Sequence, residues 1–262
     1  MATYLDRILA AHRAAAAADE RAIEPLLEAA RAMPPTRRFE DELRATGERQ
    51  LAVIAEVKRR SPSKGDLAPD LDPAATAVEY DRGGATCLSV LTDEEWFGGS
   101  AADLQAARAA VTIPVLRKDF TVDPRDVADA RVMGADAVLL IVAALDDAEL
   151  ADLHALARDV GLDVLVEVHD EPELERAVAI GATLIGVNQR DLVTFEVDTE
   201  RAVRVGAAMP AGVVRIAESG IRGTEDALRL AEAGFHAVLV GESVVTSGDR
   251  AGSVTRLRVR RR

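Results

Sequence analysis

The feature that most constrains this chain is an exchange of short apolar segments for longer amphipathic ones, repeated eight times from Leu51 onward. The apolar segments are LAVIAEVK (Leu51 to Lys58), ATCLSVL (Ala85 to Leu91), IPVLRKD, ADAVLLIV, LDVLVEVH, TLIGVN, VVRIAESG and HAVLVGES. Their length and β-branched content suit buried parallel strands. Between them, helical patterns run over Ala101 to Ala110, Pro124 to Gly134, Asp147 to Val160, Pro172 to Gly181, Asp198 to Ala208 and Thr224 to Gly234. Several begin near Asp or Pro and end at Gly, as helix caps do. Eight strand-helix units describe a closed parallel barrel better than an open sheet. A doubly wound sheet would call for a G-x-G-x-x-G turn after a strand, and none is present. The expected fold class is therefore α/β, a (β/α)8 TIM barrel.

The first fifty or so residues lack this rhythm. Leu5, Ile8 and Leu9, then Ile23, Leu26 and Leu27, mark helices interrupted at Met33-Pro34-Pro35. The segment is too short for a core of its own. We expect one barrel domain over residues 1–262, with residues 1–48 as an N-terminal helical extension packed on it.

Composition removes several function classes. No apolar run reaches the roughly 20 residues of a membrane helix, and the N-terminus lacks the order of a signal peptide. The expectation is a cytoplasmic protein without a membrane partner. A formal charge of −13 argues against nucleic acid, whose binding depends on neutralising phosphates. The exception is the Arg256 to Arg262 run, read as a frayed, solvated tail. The single cysteine, Cys87, lies in an apolar run and reads as a buried thiol. Of 32 basic residues only Lys58, Lys64 and Lys118 are lysine. Where arginine serves every ordinary cationic role, these three either mark places suited to a compact, titratable ammonium or fall there by chance in an arginine-biased sequence.

Side chains two apart in a strand share a face. Glu56 and Lys58 therefore share one face of the first strand, and the same parity sets Lys118, Glu167, Asn188 and Glu218 at the C-terminal ends of four others. Barrel enzymes gather their chemistry at that end. The bland alternative is a set of salt bridges closing the mouth, since buried Lys and Glu must be paired in any case. Ser219-Gly220 and Gly241-Glu242-Ser243 follow the last two strands, where barrels commonly bind phosphate through backbone amides. This points to a small phosphorylated substrate. The histidines show no metal-ligand spacing, and His169-Asp170-Glu171 reads as a surface turn. Neither metal nor organic cofactor is expected, and no protein partner is indicated. Trp96, Phe97 and Phe120 follow the second and third strands and could wall an aromatic pocket or simply pack.

Five motifs then carry a resemblance: AEVKRRSPSKG (Ala55 to Gly65), PVLRKDF (Pro114 to Phe120), LVEVHD (Leu165 to Asp170), GVNQRDL (Gly186 to Leu192) and IAESGI (Ile216 to Ile221). In this order they resemble the indole-3-glycerol-phosphate synthase family, over nearly the whole chain. The resemblance implies ring closure of 1-(2-carboxyphenylamino)-1-deoxyribulose 5-phosphate with loss of carbon dioxide and water, in tryptophan biosynthesis. It implies Lys118 as general acid on the ketone, Glu167 as general base or proton relay, and Glu56 with Lys58 in dehydration and binding. Asn188 and Glu218 would orient sugar hydroxyls and lysines. Ser61, Ser219, Gly220, Gly241 and Ser243 would hold the phosphate region, Arg190 a carboxylate, and Phe97 and Phe120 the anthranilate ring.

Two departures from the family pattern stand out. TVDPRDVADAR follows RKDF where relatives commonly carry an aromatic-Gln pair at positions 125 and 126, which bears on packing of the third barrel helix. The last helix is short and ends in VRRR, which suggests weaker barrel closure. A phosphosugar isomerase and a non-catalytic barrel are the competing readings. Simple enolisation needs no such crowd of charges, and only an assay separates the second.

Overall fold

The computed structural model describes residues 3–191 and 193–261. Leu192 of the GVNQRDL motif, the two N-terminal residues and Arg262 lie outside them. Eight parallel strands close into a barrel: β1 (Ala52–Val57), β4 (Cys87–Leu91), β5 (Val115–Lys118), β6 (Ala137–Ile141), β7 (Asp163–Val168), β8 (Leu184–Asn188), β9 (Val214–Glu218) and β10 (Ala237–Val240), with β10 returning to β1. The short β2 (Arg60–Ser61) and β3 (Gly65–Asp66) form an antiparallel hairpin above the first strand. Every residue of β1, β4, β6, β8 and β10 is buried. Strands covered on both faces read as continuous apolar runs, which is why the sequence shows little alternation.

Several helices outside the barrel start where short polar side chains satisfy free backbone N–H groups. Asp72, Ser100, Asp146 and Asp170 cap α4 (Pro73–Arg82), α6 (Ala101–Ala110), α8 (Asp147–Asp159) and α9 (Glu171–Ala179). The third barrel helix, α7 (Pro124–Val132), carries a reciprocal Asp123–Asp126 capping box and buries Val127, Ala128 and Ala130. Its unusual sequence thus supplies its own start signal. The expected helix from Asp198 is shorter, α10 (Arg201–Ala207), because Asp198 accepts the Glu200 N–H and holds a turn first. After it come α11 (Thr224–Glu232), the single turn α12 (Glu242–Val245) and α13 (Arg250–Leu257).

The N-terminal segment forms α1 (Tyr4–Ala18), α2 (Ile23–Ala32) and α3 (Phe39–Gly47). At the bottom of the barrel Phe39 and Leu43 are fully buried. Here Asp136 accepts the backbone N–H groups of Arg37 and Val115 at 2.8 and 2.9 Å and the Arg108 guanidinium at 2.9 Å. By contrast α1 lies at the opposite end, where His12 Nε2 stands 2.9 Å from Asp93 Oδ2, just past β4. The extension therefore runs from the mouth of the barrel to its base.

The arginine-rich tail is not frayed. Val259 O accepts the Leu51 N–H at 2.8 Å, and the Arg261 guanidinium donates to Gly47 O at 2.6 Å and Gly234 O at 3.3 Å. The start of β1 and the end of α3 leave backbone groups without strand or helix partners, and the tail supplies them. Nor is the closure weak: β10 pairs β1 from Ala52 to Ala55, while Val254 and Leu257 of α13 are buried. None of the described helices is long and apolar enough to cross a membrane.

Candidate active site

A cavity of about 890 Å³ opens at the C-terminal ends of the strands. Strand parity delivers Glu56, Lys58, Lys118, Glu167, Asn188 and Glu218 to it from five strands and their ends. Lys58 Nζ lies 2.5 Å from Glu56 Oε1. Across the mouth, Lys118 Nζ lies 3.3 Å from Glu167 Oε2 and 3.9 Å from Glu218 Oε2. Asn188 Nδ2 donates to the other oxygen of Glu167 at 3.0 Å, and Asn188 Oδ1 accepts the Arg190 N–H at 3.0 Å. The amide thus has a fixed orientation, with each end satisfied.

These groups set one another's charge. Burial opposes the Lys118 ammonium, but Glu167, Glu218 and Glu56 outweigh it and hold its pKa above the ordinary lysine value. Burial would likewise neutralise Glu167; Lys118 and His169 overcome it and keep this carboxyl below its usual range. Glu218 goes the other way. Burial first, and then the charge of Glu167, push it well above the usual carboxylate range. Two neighbouring carboxyls with opposite shifts make one an acceptor and the other a proton holder. Glu218 Oε1 is buried with no hydrogen-bond partner among the described residues.

Two glycines of these strands and loops leave room for the charges. A β-carbon at Gly186 would collide with Glu218 Oε1, and one at Gly241 with Glu56 Oε1. Their absent side chains are required by close packing against a carboxylate, a signal that strand parity does not reveal.

The other side of the cavity is made of turns. Ser219 and Gly220 both take left-handed backbone, φ 66° and 72°, a conformation costly for a residue with a β-carbon. Gln189, buried beneath them, donates from Nε2 to Ser219 O at 2.7 Å. Ser243 Oγ donates to Ile221 O at 2.9 Å, tying the two turns together, and Ser61 Oγ is buried without a partner among the described residues. Lys64 also reaches the cavity, half exposed and 3.8 Å from Glu242. Phe97 and Phe120 line the opposite wall with ring centroids 6.5 Å apart. Trp96 does not join them; its ring meets Tyr4 of α1 edge-on at 5.2 Å. Arg190 lines the cavity while donating to Phe195 O at 3.0 Å.

Every residue singled out for the site lines this one cavity: the six charged and amide groups, Ser61, Phe97, Phe120, Arg190, Ser219, Gly220, Gly241 and Ser243. Sequence reading missed Tyr4, Leu5 and Ile8, which bring α1 over the mouth, and Phe195 from the loop after β8. Their apolar spacing in α1 looks like ordinary core packing. It also misjudged His169. Asp170 does turn outward to cap α9, but the imidazole turns inward behind Glu167 with its side chain only 12% exposed. The parity of Leu165 and Glu167, extended by two, was the available signal.

Residues 5–257 match the family model described as indole-3-glycerol phosphate synthase. An indole-3-glycerol phosphate synthase of Nocardioides sp. is 57% identical over 206 residues, covering 79% of each chain. One of Mycobacteroides abscessus is 50% identical over 257 residues, covering 97% of this chain and 93% of the relative. Among solved structures, thiamine phosphate pyrophosphorylase from Pyrococcus furiosus superposes with a TM-score of 0.60 at 17% identity, over 79% of this chain and 93% of that one. The N-acetylmannosamine-6-phosphate 2-epimerase of Clostridium perfringens gives 0.59 at 13% identity, over 73% and 86%. At such identities these two bear on the barrel fold alone.

Proposed function

This chain belongs to the indole-3-glycerol phosphate synthase family, and from that premise we propose how its barrel mouth performs the reaction. The family's enzymes are carboxy-lyases of tryptophan biosynthesis. The substrate, 1-(2-carboxyphenylamino)-1-deoxyribulose 5-phosphate, has an aromatic carboxylate at one end and a phosphate at the other. The cavity has matching ends. Phe97 and Phe120 take the anthranilate ring and Arg190 its carboxylate; Ser61, Ser219, Gly220, Gly241 and Ser243 receive the phosphate.

Between these ends lies the ketone. Lys118, kept as an ammonium by the carboxyl groups around it, Glu167 foremost, donates a proton to the ketone oxygen as the ring carbon bearing the carboxylate attacks the carbonyl carbon. Carbon dioxide leaves, restoring the aromatic ring. Loss of the resulting hydroxyl as water then needs an acid and a base, for which Glu56–Lys58 and Glu167 stand on two sides of the cavity. Asn188 and the protonated Glu218 hold the sugar hydroxyls. Lys118 within 4 Å of both Glu167 and Glu218, in a cavity that Phe97 and Phe120 line together with the turns after β9 and β10, carries this reading. A cytoplasmic setting and the absence of a nucleic-acid partner remain part of the proposal, resting on the acidic charge and the soluble substrate.

The experiment is to mix purified protein with the substrate and follow indole fluorescence, without added metal or cofactor. A rise that Lys118→Ala abolishes supports both the reaction and its acid. No rise from folded protein would reject the reading and send the search to ribosyl phosphate isomerisation.

A further inference from the structure

Behind Glu167, outside the cavity lining, the ring of His169 is largely buried between two carboxylates from different elements. Glu173 of α9 accepts the His169 backbone N–H at 2.8 Å and stands 3.0 Å from ring Nδ1, both through Oε2. A carboxylate can only accept, so Nδ1 carries a proton. The other nitrogen, Nε2, is buried without a hydrogen-bond partner among the described residues and points toward Glu167 Oε1, 3.6 Å away. In the neutral imidazole this would set a lone pair against the carboxylate in a buried place, a repulsive arrangement. A second proton on Nε2 turns it into an attraction and satisfies both ends of the ring.

We propose that His169 is a positioning residue for the reaction, an imidazolium clamped by Glu173 that holds Glu167 as the anion and lowers its basicity. This rests on the reading of Glu167 as base or proton relay. Glu167 then lies between cations on two sides, with Lys118 on Oε2 and His169 beside Oε1, while Asn188 fixes the plane. Of the charges facing the ring from the described residues, Arg201 of α10 opposes protonation, and Asp191 lies 3.8 Å from that guanidinium. Burial also opposes it, yet Glu173 and Glu167 outweigh both and raise the imidazole above its ordinary value. The clamp gives Glu167 a basicity that the Lys118 contact does not set alone.

The test begins with the nitrogen resonances of His169 in the intact protein, followed through a pH titration. Protonation persisting above pH ~6.5, the ordinary histidine value, and lost at lower pH in Glu173→Gln than in the native protein, is the expected result; a ring already neutral at pH 6 overturns the proposal. This readout does not depend on what Glu167 does. The second measurement is the acidic limb of kcat/KM against pH. His169→Gln should move that limb upward by roughly one pH unit, the effect of removing a nearby opposite charge, and Glu173→Gln should move it in the same direction by less. Activity lowered by one factor at all pH values, with the limb unmoved in both variants, would reduce His169 to packing. Glu167→Gln serves as the check on the underlying reading: if it turns over normally, that reading fails, whatever the resonances of His169 report.

Discussion

Gly241 and Glu56 occupy nearly the same space: a β-carbon on Gly241 would overlap Glu56 Oε1 and press on Lys58 Nζ. Gly241 has φ −113°, so alanine there meets no backbone strain and acts through sterics alone. Gly241→Ala should displace the Glu56–Lys58 pair and lower kcat/KM by roughly 10²-fold, the scale of an ångström's misplacement. Stability should fall by only about 1–3 kcal/mol, as for overpacking. Gly248→Ala, which meets nothing within 4 Å, is the control, and steady-state kinetics beside a thermal melt separates the two effects.

In the proposed reaction Lys118 is the group that protonates the ketone. Lys118→Ala should reduce kcat by at least about 10²-fold, the usual effect of losing a general acid, with an unchanged circular dichroism spectrum. It also leaves Glu167 and Glu218 buried beside each other, so the pH at which the pair ionises should rise. Turnover close to native would remove Lys118 from the acid role.

His236 links pH to stability at the base of the barrel, far from the chemistry. Its Nδ1 accepts the Arg215 N–H at 3.1 Å, and burial together with Arg261, Arg215 and Arg44 lowers its pKa to about 4. A base whose folded pKa is depressed contributes stability that is complete above its unfolded value of about 6.5 and declines as pH falls from there toward 4. Urea unfolding at pH 7.5, 6 and 4.5 should show the native protein losing stability relative to His236→Gln as acid is added. A difference between the two proteins that stays constant with pH would disprove this linkage.

The tail gives a purely structural prediction. Removing residues 258–262 deletes the acceptor for Leu51 N–H and the Arg261 bonds to Gly47 O and Gly234 O. Buried or half-buried backbone groups left without partners cost about 1–3 kcal/mol. At roughly 2–4 °C per kcal/mol for a chain of this size, differential scanning calorimetry should record a clear drop in Tm. Activity at 25 °C should be retained. An unchanged Tm would restore the picture of a frayed tail.

The amino-acid sequence by itself determined the barrel and most of its mouth. Eight buried apolar runs can close only with both faces covered, and the two-residue period of a strand puts Glu56, Lys58, Lys118, Glu167, Asn188 and Glu218 at one end without knowledge of distances. What it could not carry were relations between segments far apart in the chain. Nothing in the order of residues says that Tyr4 and Ile8 roof the cavity while Phe39 plugs its base. Nor does it say that Val259 and Arg261 complete the edge of the first strand. The charges belong to the same class. Glu167 and Glu218 are identical side chains at equivalent strand ends, yet one is pushed below the usual carboxylate range and the other well above it. Lys118 and His169 lie nearer the first, whereas the second loses its hydration and faces its neighbour's charge. Local periodicity sets which way a side chain points, but its protonation depends on every group that the folded chain brings within a few ångströms, and only the tertiary structure decides that.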